Sequence, residues 1–307
     1  MQNIKVGVIQ MSVSDDKETN LKKAHSMIKK ACRQGAQMVV LPEVFNSPYQ
    51  TELFPEYAEP YPGPTTRLLS SLAAEHEVLL VGGSIIEKDG EGKLYNSSFV
   101  FDEKGQLLGR HRKVHLFDIN IPGKITFRES DTLNSGDSIT VIRHQGLCFS
   151  LMICYDFRFP ELARAAVLEG AQLMVVPASF PITTGEAHWD LLMRSRAVDN
   201  QCFVIAAAPA RNPESSYQAW GHSMVVDPWG QIIAEAGEEE GIIYAELDFE
   251  QLEQIRQQLP LLGHRRHDLL QFRGGEFRRL LAGLLRKGLQ PCIAKPQKDG
   301  QRGGGSR

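Results

Sequence analysis

This sequence predicts a layered α/β fold assembled from two similar halves, on three observations. Segments with helical apolar spacing alternate with short apolar runs of strand length. Hairpin signals interrupt the alternation, as at Asp102-Glu103-Lys104-Gly105 between two strand-like runs. Finally, G-A-Q-M-V-V-L-P-E-V-F at 35–45 recurs as G-A-Q-L-M-V-V-P-A-S-F at 170–180, 135 residues later. Each copy follows a helical pattern (21–34 and 161–169) and, before that, an apolar strand (4–11 and 147–153). Two strand–helix–strand units of matching length suggest two similar sheets related by an approximate two-fold. Ligand sites in α/β sheets lie outside the carboxyl ends of strands. Glu43 and Cys154 both fall at such ends, and packing equivalent units together brings those ends near one another.

The elements follow in order. A strand over 4–11 leads through Ser12-Val13-Ser14-Asp15-Asp16 into a helix over 21–34, with Ala24, Met27, Ile28 and Ala31 on one face and Gly35 ending it. The run 38–41 is a buried strand stopping at Pro42-Glu43. A helix over 65–77 precedes a strand at 78–81 and Gly82-Gly83. Strands at 97–101 and 107–112 flank the Asp102–Gly105 turn. S-L-M-I-C-Y-D-F-R-F-P-E at 150–161 is an apolar strand that stops at Cys154 and turns into an alanine-rich helix. A helix over 187–199, a strand at 203–208, strand pairs at 222–227 and 232–236, a strand at 242–247 and a helix at 249–257 complete the body.

Composition narrows the function. The chain has 307 residues and is 42% apolar, enough to bury a large core. Its net charge of −3 is uneven: from His264 onward 11 Lys+Arg face 3 Asp+Glu, a net +8, which leaves −11 for residues 1–263. That balance argues against a nucleic-acid partner for the body. Five cysteines, with no C-x-x-C pair and no His/Cys cluster at zinc spacing, suit a reduced, cytoplasmic protein with free thiols and no metal. There is no signal-peptide pattern and no apolar run of the roughly 18 residues a membrane span needs. Residues 1–272 are expected to form the folded domain. Residues 273–307 read as a basic tail, Gly-rich toward its end and disordered by composition, although G-G-E-F-R-R-L-L-A-G-L-L-R-K-G could form one amphipathic helix.

A thiol at a strand end can be a small core hydrophobe or a nucleophile. A nucleophile needs a base, an oxyanion donor and a turn that exposes it. The nine histidines offer no cysteine-hydrolase signature; His111, His115, His188 and His222 read at least as well as structural groups. Glu43 and Lys113 taken singly suit a helix cap and a solvated face. Together with Cys154 they place a carboxylate, an ammonium and a thiol each at the end of a buried strand.

Those residues stand in L-P-E, H-R-K-V-H-L-F-D and C-Y-D-F-R-F-P-E, which resemble the three signature blocks of the nitrilase superfamily of carbon–nitrogen hydrolases. The resemblance is colinear from residue 4 to about 270. It implies a four-layer α-β-β-α sandwich, a homodimer, a small-molecule amide substrate, and no metal or organic cofactor. It assigns a catalytic triad to Glu43, Lys113 and Cys154, and a supporting role to Glu129 in F-R-E-S. The backbone N–H of Tyr155 would join Lys113 at the oxyanion. N-S-P-Y, I-P-G-K-I-T-F-R-E-S, T-T-G-E-A-H-W and R-S-R-A-V-D-N-Q are similar to the omega-amidase branch, which acts on 2-oxoglutaramate and 2-oxosuccinamate. A-H-W and G-H-S-M-V-V-D-P-W-G are shared with the sister branch that hydrolyses deaminated glutathione. Tyr49, Thr183 and Thr184 are candidates for hydroxyl contacts to the far carboxylate of such a substrate. Arg194 and Arg196 could supply charge, although their helical spacing also suits ion pairs. A non-catalytic scaffold of the same fold would be signalled by loss of Glu, Lys or Cys, and all three are present. A serine-type α/β hydrolase would need G-x-S-x-G, which is absent.

Overall fold

In the computed structural model, which describes residues 3–266 and 268–269, the repeated segment forms the middle strand of a parallel triplet in each of two sheets. The first half runs strand Ile4–Gln10, helix Lys17–Arg33, strand Met38–Val40, helix Pro64–His76 and strand Leu79–Val81. The second runs strand Leu147–Leu151, helix Pro160–Leu168, strand Leu173–Pro177, helix Ile182–Asn200 and strand Phe203–Ala207. The glutamine of each G-A-Q copy does the same work. Gln37 N–H donates to Lys5 O (2.8 Å) and its carbonyl accepts from Leu79 N–H (3.1 Å). Gln172 N–H donates to Cys148 O (2.8 Å) and its carbonyl accepts from Phe203 N–H (3.0 Å).

Antiparallel strands extend both triplets. Leu94–Phe101, Ile85–Lys88 and Leu107–Arg112 add to one edge of the first sheet, and Gly241–Leu247 closes the other against Ile4–Gln10. The second sheet gains Thr140–His144 on one side and Met224–Val226 then Ile232–Glu235 on the other. The two sheets face each other across Val8, Val40, Phe149, Val175, Phe203 and Ile205, all buried. Helices Lys17–Arg33 and Pro64–His76 cover the outer face of the first sheet through Ala24, Ile28, Leu69 and Leu72. Helices Pro160–Leu168 and Ile182–Asn200 cover the second through Ala163, Ala166, Trp189 and Met193. The result is a four-layer α-β-β-α sandwich with two similar halves. Emptying a site such as Phe149 by substitution to Ala costs about 3–5 kcal/mol in a core of this kind.

Local chemistry sets the boundaries. Asp16 accepts from the N–H groups of Glu18 (3.1 Å) and Thr19 (3.3 Å), capping the first helix. The Asp102 hairpin forms as its sequence predicts, with Gly105 at φ +74°, where a Cβ would lie 2.4 Å from Ser70 O. Three expectations shift. The helix placed over 187–199 begins at Ile182, straight after Pro181 at its N-cap, so Thr183 and Thr184 lie in its first turn. The strand expected over 222–227 shortens to Met224–Val226, because Gly221 and His222 take positive φ and cannot continue a ladder. A hairpin, Asp118–Ile121 with Ile125–Arg128, occupies a stretch to which the sequence pattern assigned no element.

No helix among the described residues is long and apolar enough to cross a membrane. Residues from Gly263 form a second unit. The described part of it holds an Arg266–Asp268 pair at 2.6 Å. The basic stretch from 273 lies outside the described residues.

Candidate active site

Three segments deliver the site's side chains. Glu43 follows the first middle strand. Its peptide is gripped from behind: Ser84 N–H donates to Pro42 O (3.2 Å), and Val44 N–H donates to Ser84 Oγ (3.0 Å). Gly83, at φ +56°, allows this approach, since a Cβ there would sit 2.1 Å from Pro42 O. Val44 itself holds φ +48°, a strained value for a β-branched residue. Lys113 ends strand Leu107–Arg112, its N–H donating to Asn96 O (2.8 Å) and its carbonyl accepting from Gly136 N–H (2.8 Å). Cys154 opens a 3-10 turn, Cys154–Arg158, at φ +47°, and Pro160 starts the next helix two residues past that turn. A non-glycine residue in the left-handed region at the end of a buried strand is a second point of strain. The strand stops there because the backbone is turned into an elbow.

The side chains converge. Lys113 Nζ lies 2.9 Å from Glu43 Oε1 and 2.9 Å from Glu129 Oε1, and all three side chains are fully buried. Tyr49 OH donates to Glu129 Oε1 (2.7 Å) and sits 3.2 Å from Glu43 Oε1. Asn96 Nδ2 donates to Glu43 Oε1 (2.9 Å), and Phe117 N–H to Glu129 Oε2 (2.7 Å). The other oxygen of Glu43 accepts from Ser179 N–H (2.7 Å), and the Glu43 carboxyl and the Cys154 thiol act on each other's charge. Ser179 belongs to the second copy of the repeat, one residue past the position equivalent to Glu43. The two copies therefore meet at one carboxylate.

Electrostatics follow from burial. Burial pushes the Glu43 carboxyl above its ordinary value, although Lys113 pulls the other way. For Lys113, burial favours the neutral amine, but the carboxylates of Glu129 and Glu43 outweigh it and hold the ammonium. Burial, reinforced by Glu43, drives the Cys154 thiol well above its usual range against the pull of Lys113. A neighbouring cation would be expected to help form a thiolate. Here that cation is already shared by two carboxylates, and the resting group is a thiol facing a basic carboxylate.

A second buried cluster joins two of these segments. Asp156 Oδ1 accepts from the N–H groups of Val114 (3.2 Å) and His115 (2.8 Å) and contacts His115 Nδ1 (2.9 Å). Its Oδ2 accepts from Ile153 N–H (3.0 Å) and contacts His111 Nε2 (3.0 Å). Burial alone would raise this carboxyl, but the bonds from His111 and His115 win and hold it well below the usual range. His111 and His115 thus brace the chain on either side of Lys113 against the cysteine elbow.

The remaining sequence candidates fall in different places. Tyr49 stands in the cluster and packs against Tyr217 (4.6 Å between ring centroids) and Phe127 (5.5 Å). Tyr155 lies in the first turn after Cys154, where N–H groups lack intrahelical acceptors. Thr184 is buried, its hydroxyl 3.5 Å from Pro181 O, and Thr183 sits beside it at the helix start. Arg194 donates to Gly230 O (2.8 Å) and pairs with Asp190. Arg196 donates to Arg158 O (3.2 Å) and pairs with Asp199. Neither arginine lines the cleft bordered by Glu43, Ser47, Tyr49, Ser179, Asn212 and Tyr217.

Sequence reading passed over Asn96, Ser179, Asp156 and Arg158. A buried Asn in the strand Leu94–Phe101 was the available signal for the first. Arg158 has no carboxylate partner among the described residues; it donates to His188 Nδ1 (3.1 Å) and lies 4.6 Å over the Phe180 ring. It closes the 3-10 turn that Cys154 opens.

A four-layer sandwich with a buried Glu–Lys–Cys constellation defines a thiol-dependent hydrolase. Residues 5–257 match the carbon–nitrogen hydrolase family model, and the chain belongs to that family, as a cysteine-dependent amidohydrolase of the nitrilase superfamily. Omega-amidase NIT2 of Mus musculus is 52% identical over 269 residues, covering 88% of this chain and 97% of the relative. Among solved structures, Saccharomyces cerevisiae Nit3, a member of branch 10 of the nitrilase superfamily, superposes with TM-score 0.80 at 48% identity, covering 86% of this chain and 97% of that one. An amidase from Nesterenkonia sp. AN1, seen with acrylamide added at its active-site cysteine, superposes with TM-score 0.70 at 26% identity, covering 83% and 98%.

Proposed function

We propose that the chain is an omega-amidase, hydrolysing the terminal amide of small 2-oxo dicarboxylic acid monoamides, with 2-oxoglutaramate preferred. The observation that carries this reading is the bonding of Glu43 to Lys113 and Ser179 N–H beside the buried Cys154, which sets a base near the thiol inside a buried site. The 52% identity to omega-amidase NIT2 supports the choice of branch.

The chemistry runs as follows. Glu43 takes the Cys154 proton as sulfur bonds to the amide carbon. The oxygen becomes an oxyanion held by Lys113 Nζ and the Tyr155 N–H, at about 3–4 kcal/mol for a well-placed donor. Glu43 returns the proton to the departing nitrogen, the C–N bond breaks, and ammonia leaves a thioester on Cys154. Water deprotonated by Glu43 attacks the thioester; the C–S bond breaks and the carboxylic acid and thiol are regenerated. Glu129, with Tyr49 and Phe117 N–H, fixes the ammonium and balances its charge. Arg158 suits the substrate's far carboxylate, being a cation in the turn that Cys154 opens and having no carboxylate partner among the described residues. Thr184, Arg194 and Arg196 are engaged within or beside their helix, whose first turn also holds Thr183, and contribute through its placement. The enzyme is proposed to work as a homodimer.

Steady-state ammonia release over a substrate panel tests the assignment. 2-Oxoglutaramate should exceed 2-oxosuccinamate, deaminated glutathione and glutamine. A tenfold or greater kcat/KM preference for deaminated glutathione, about 1.4 kcal/mol at the transition state, would assign the sister activity instead.

A further inference from the structure

Away from the active site, the outer face of the first sheet carries a group of donors that spacing along the chain could not reveal. His25 lies on helix Lys17–Arg33; Glu75 and His76 end helix Pro64–His76. One ligand atom from each of these three side chains lies within 4.8 Å of the other two. Glu75 is exposed, while the two histidines are half-buried. The Nε2 atom of His76 is buried without a hydrogen-bond partner, its nearest opposite charge being Glu75 Oε1 at 3.8 Å. A buried imidazole nitrogen left without a partner costs about 1–3 kcal/mol, so it calls for an explanation.

We propose that His25, Glu75 and His76 form a binding site for a divalent cation of the zinc type, bridging the two outer helices. Two imidazoles and one carboxylate, with a fourth position open to water, are a donor set that suits Zn²⁺ and not the oxygen-seeking Mg²⁺ or Ca²⁺. Donors on tetrahedral zinc, with bonds of about 2.0–2.1 Å, stand about 3.3 Å apart. Against that separation the Glu75–His76 pair, at 3.8 Å, needs to close by about 0.5 Å and no pair by more than about 1.5 Å, which the exposed Glu75 side chain and a rotamer adjustment at His25 can supply. Metal capture gives the orphaned His76 nitrogen a partner and ties the middle of one helix to the end of the other. The site is separate from the chemistry at Cys154.

Zinc titration by calorimetry on chelator-treated full-length protein tests this, in a Cys154→Ala background so that the active-site thiol cannot take the metal. The thiols of Cys32 and Cys202 are pushed up to about 11 and about 12 by burial, which keeps them protonated and weak as ligands. The expected result is one zinc per chain, raising the melting temperature. Affinity should drop about tenfold or more in His25→Ala and in Glu75→Gln, an exposed position whose change leaves the fold intact. Zinc binding that is absent, unchanged in both variants, or matched by Ca²⁺ at the same concentration would overturn the proposal.

Discussion

Replacing Asp156 with Asn separates the bracing of the active site from its chemistry. The carboxylate accepts bonds at both oxygens: three at Oδ1, from Val114, His115 and the His115 ring, and two at Oδ2, from Ile153 and the His111 ring. An Asn keeps one oxygen and turns the other position into a donor. If the NH₂ replaces Oδ2, His111 can respond by a tautomer change, since its Nδ1 faces the Thr140 hydroxyl at 2.9 Å. Ile153 N–H has no such recourse. One buried, unsatisfied N–H costs about 1–3 kcal/mol, and losing charge-assisted bonds adds to it, so about 3 kcal/mol is expected. In a domain of this size that is a fall of about 6–12 °C in melting temperature. The pH dependence gives the sign. A carboxyl held below its unfolded value of about 3.9 contributes stability that is present above that pH and lost as pH falls toward the lowered folded value. The gap between Asp156→Asn and the unmodified protein should therefore be full at pH 7 and narrow below about pH 4. Melting curves across pH, with ammonia release at pH 7, read both effects. A gap under about 2 °C, or one that does not change with pH, would refute the reasoning.

Four further outcomes follow from the same geometry. Lys113→Met should lower kcat by far more than Arg112→Ala, because only Lys113 joins the two buried carboxylates; equal mild losses in both would make the segment a basic surface. The acid limb of kcat/KM should lie above the ordinary carboxylate range, since burial raises Glu43 and its basic form is the one required; a limb near pH 4 would contradict that environment. Arg158→Gln should raise KM for 2-oxoglutaramate while leaving turnover of a short uncharged amide much less affected; equal losses on both substrates would remove it from carboxylate binding. A chain ending at Arg273 should keep full activity, and its loss would place part of the function in the basic tail.

The fold was legible because the repeat at 35–45 and 170–180 marks the middle strand of each half, and strand-length runs bounded by Pro42-Glu43 and Cys154 mark carboxyl ends. Glu43 and Cys154 were legible for the same reason, each ending an apolar strand, whereas Lys113 follows the basic, partly exposed strand Leu107–Arg112 and stood out through the resemblance of H-R-K-V-H-L-F-D to a signature block. Asn96 and Ser179 were not, since one acts through a side chain within a strand and the other through a backbone N–H, which has no residue signature. Asp156 sits in the same block as Cys154, but apart from Ile153 its partners His111, Val114 and His115 lie 41–45 residues away, and pairing of that kind is visible only in the folded chain. The helix start at Ile182 was missed because T-T-G reads as a breaker, although Gly185 is held there by Trp220, whose Cβ lies 2.3 Å from where a side chain would begin. The roles suggested for Arg194 and Arg196 rested on charge alone, and helical ion pairs account for both.

The most direct test of the central claim is mass spectrometry of the enzyme quenched during a single turnover of 2-oxoglutaramate. The account predicts one acyl adduct, on the peptide carrying Cys154, absent in Cys154→Ser and strongly diminished in Glu43→Gln, which lacks the base for forming the thioester as well as for hydrolysing it. An adduct on Cys148 or Cys202, or ammonia release that continues in Cys154→Ala, would contradict it.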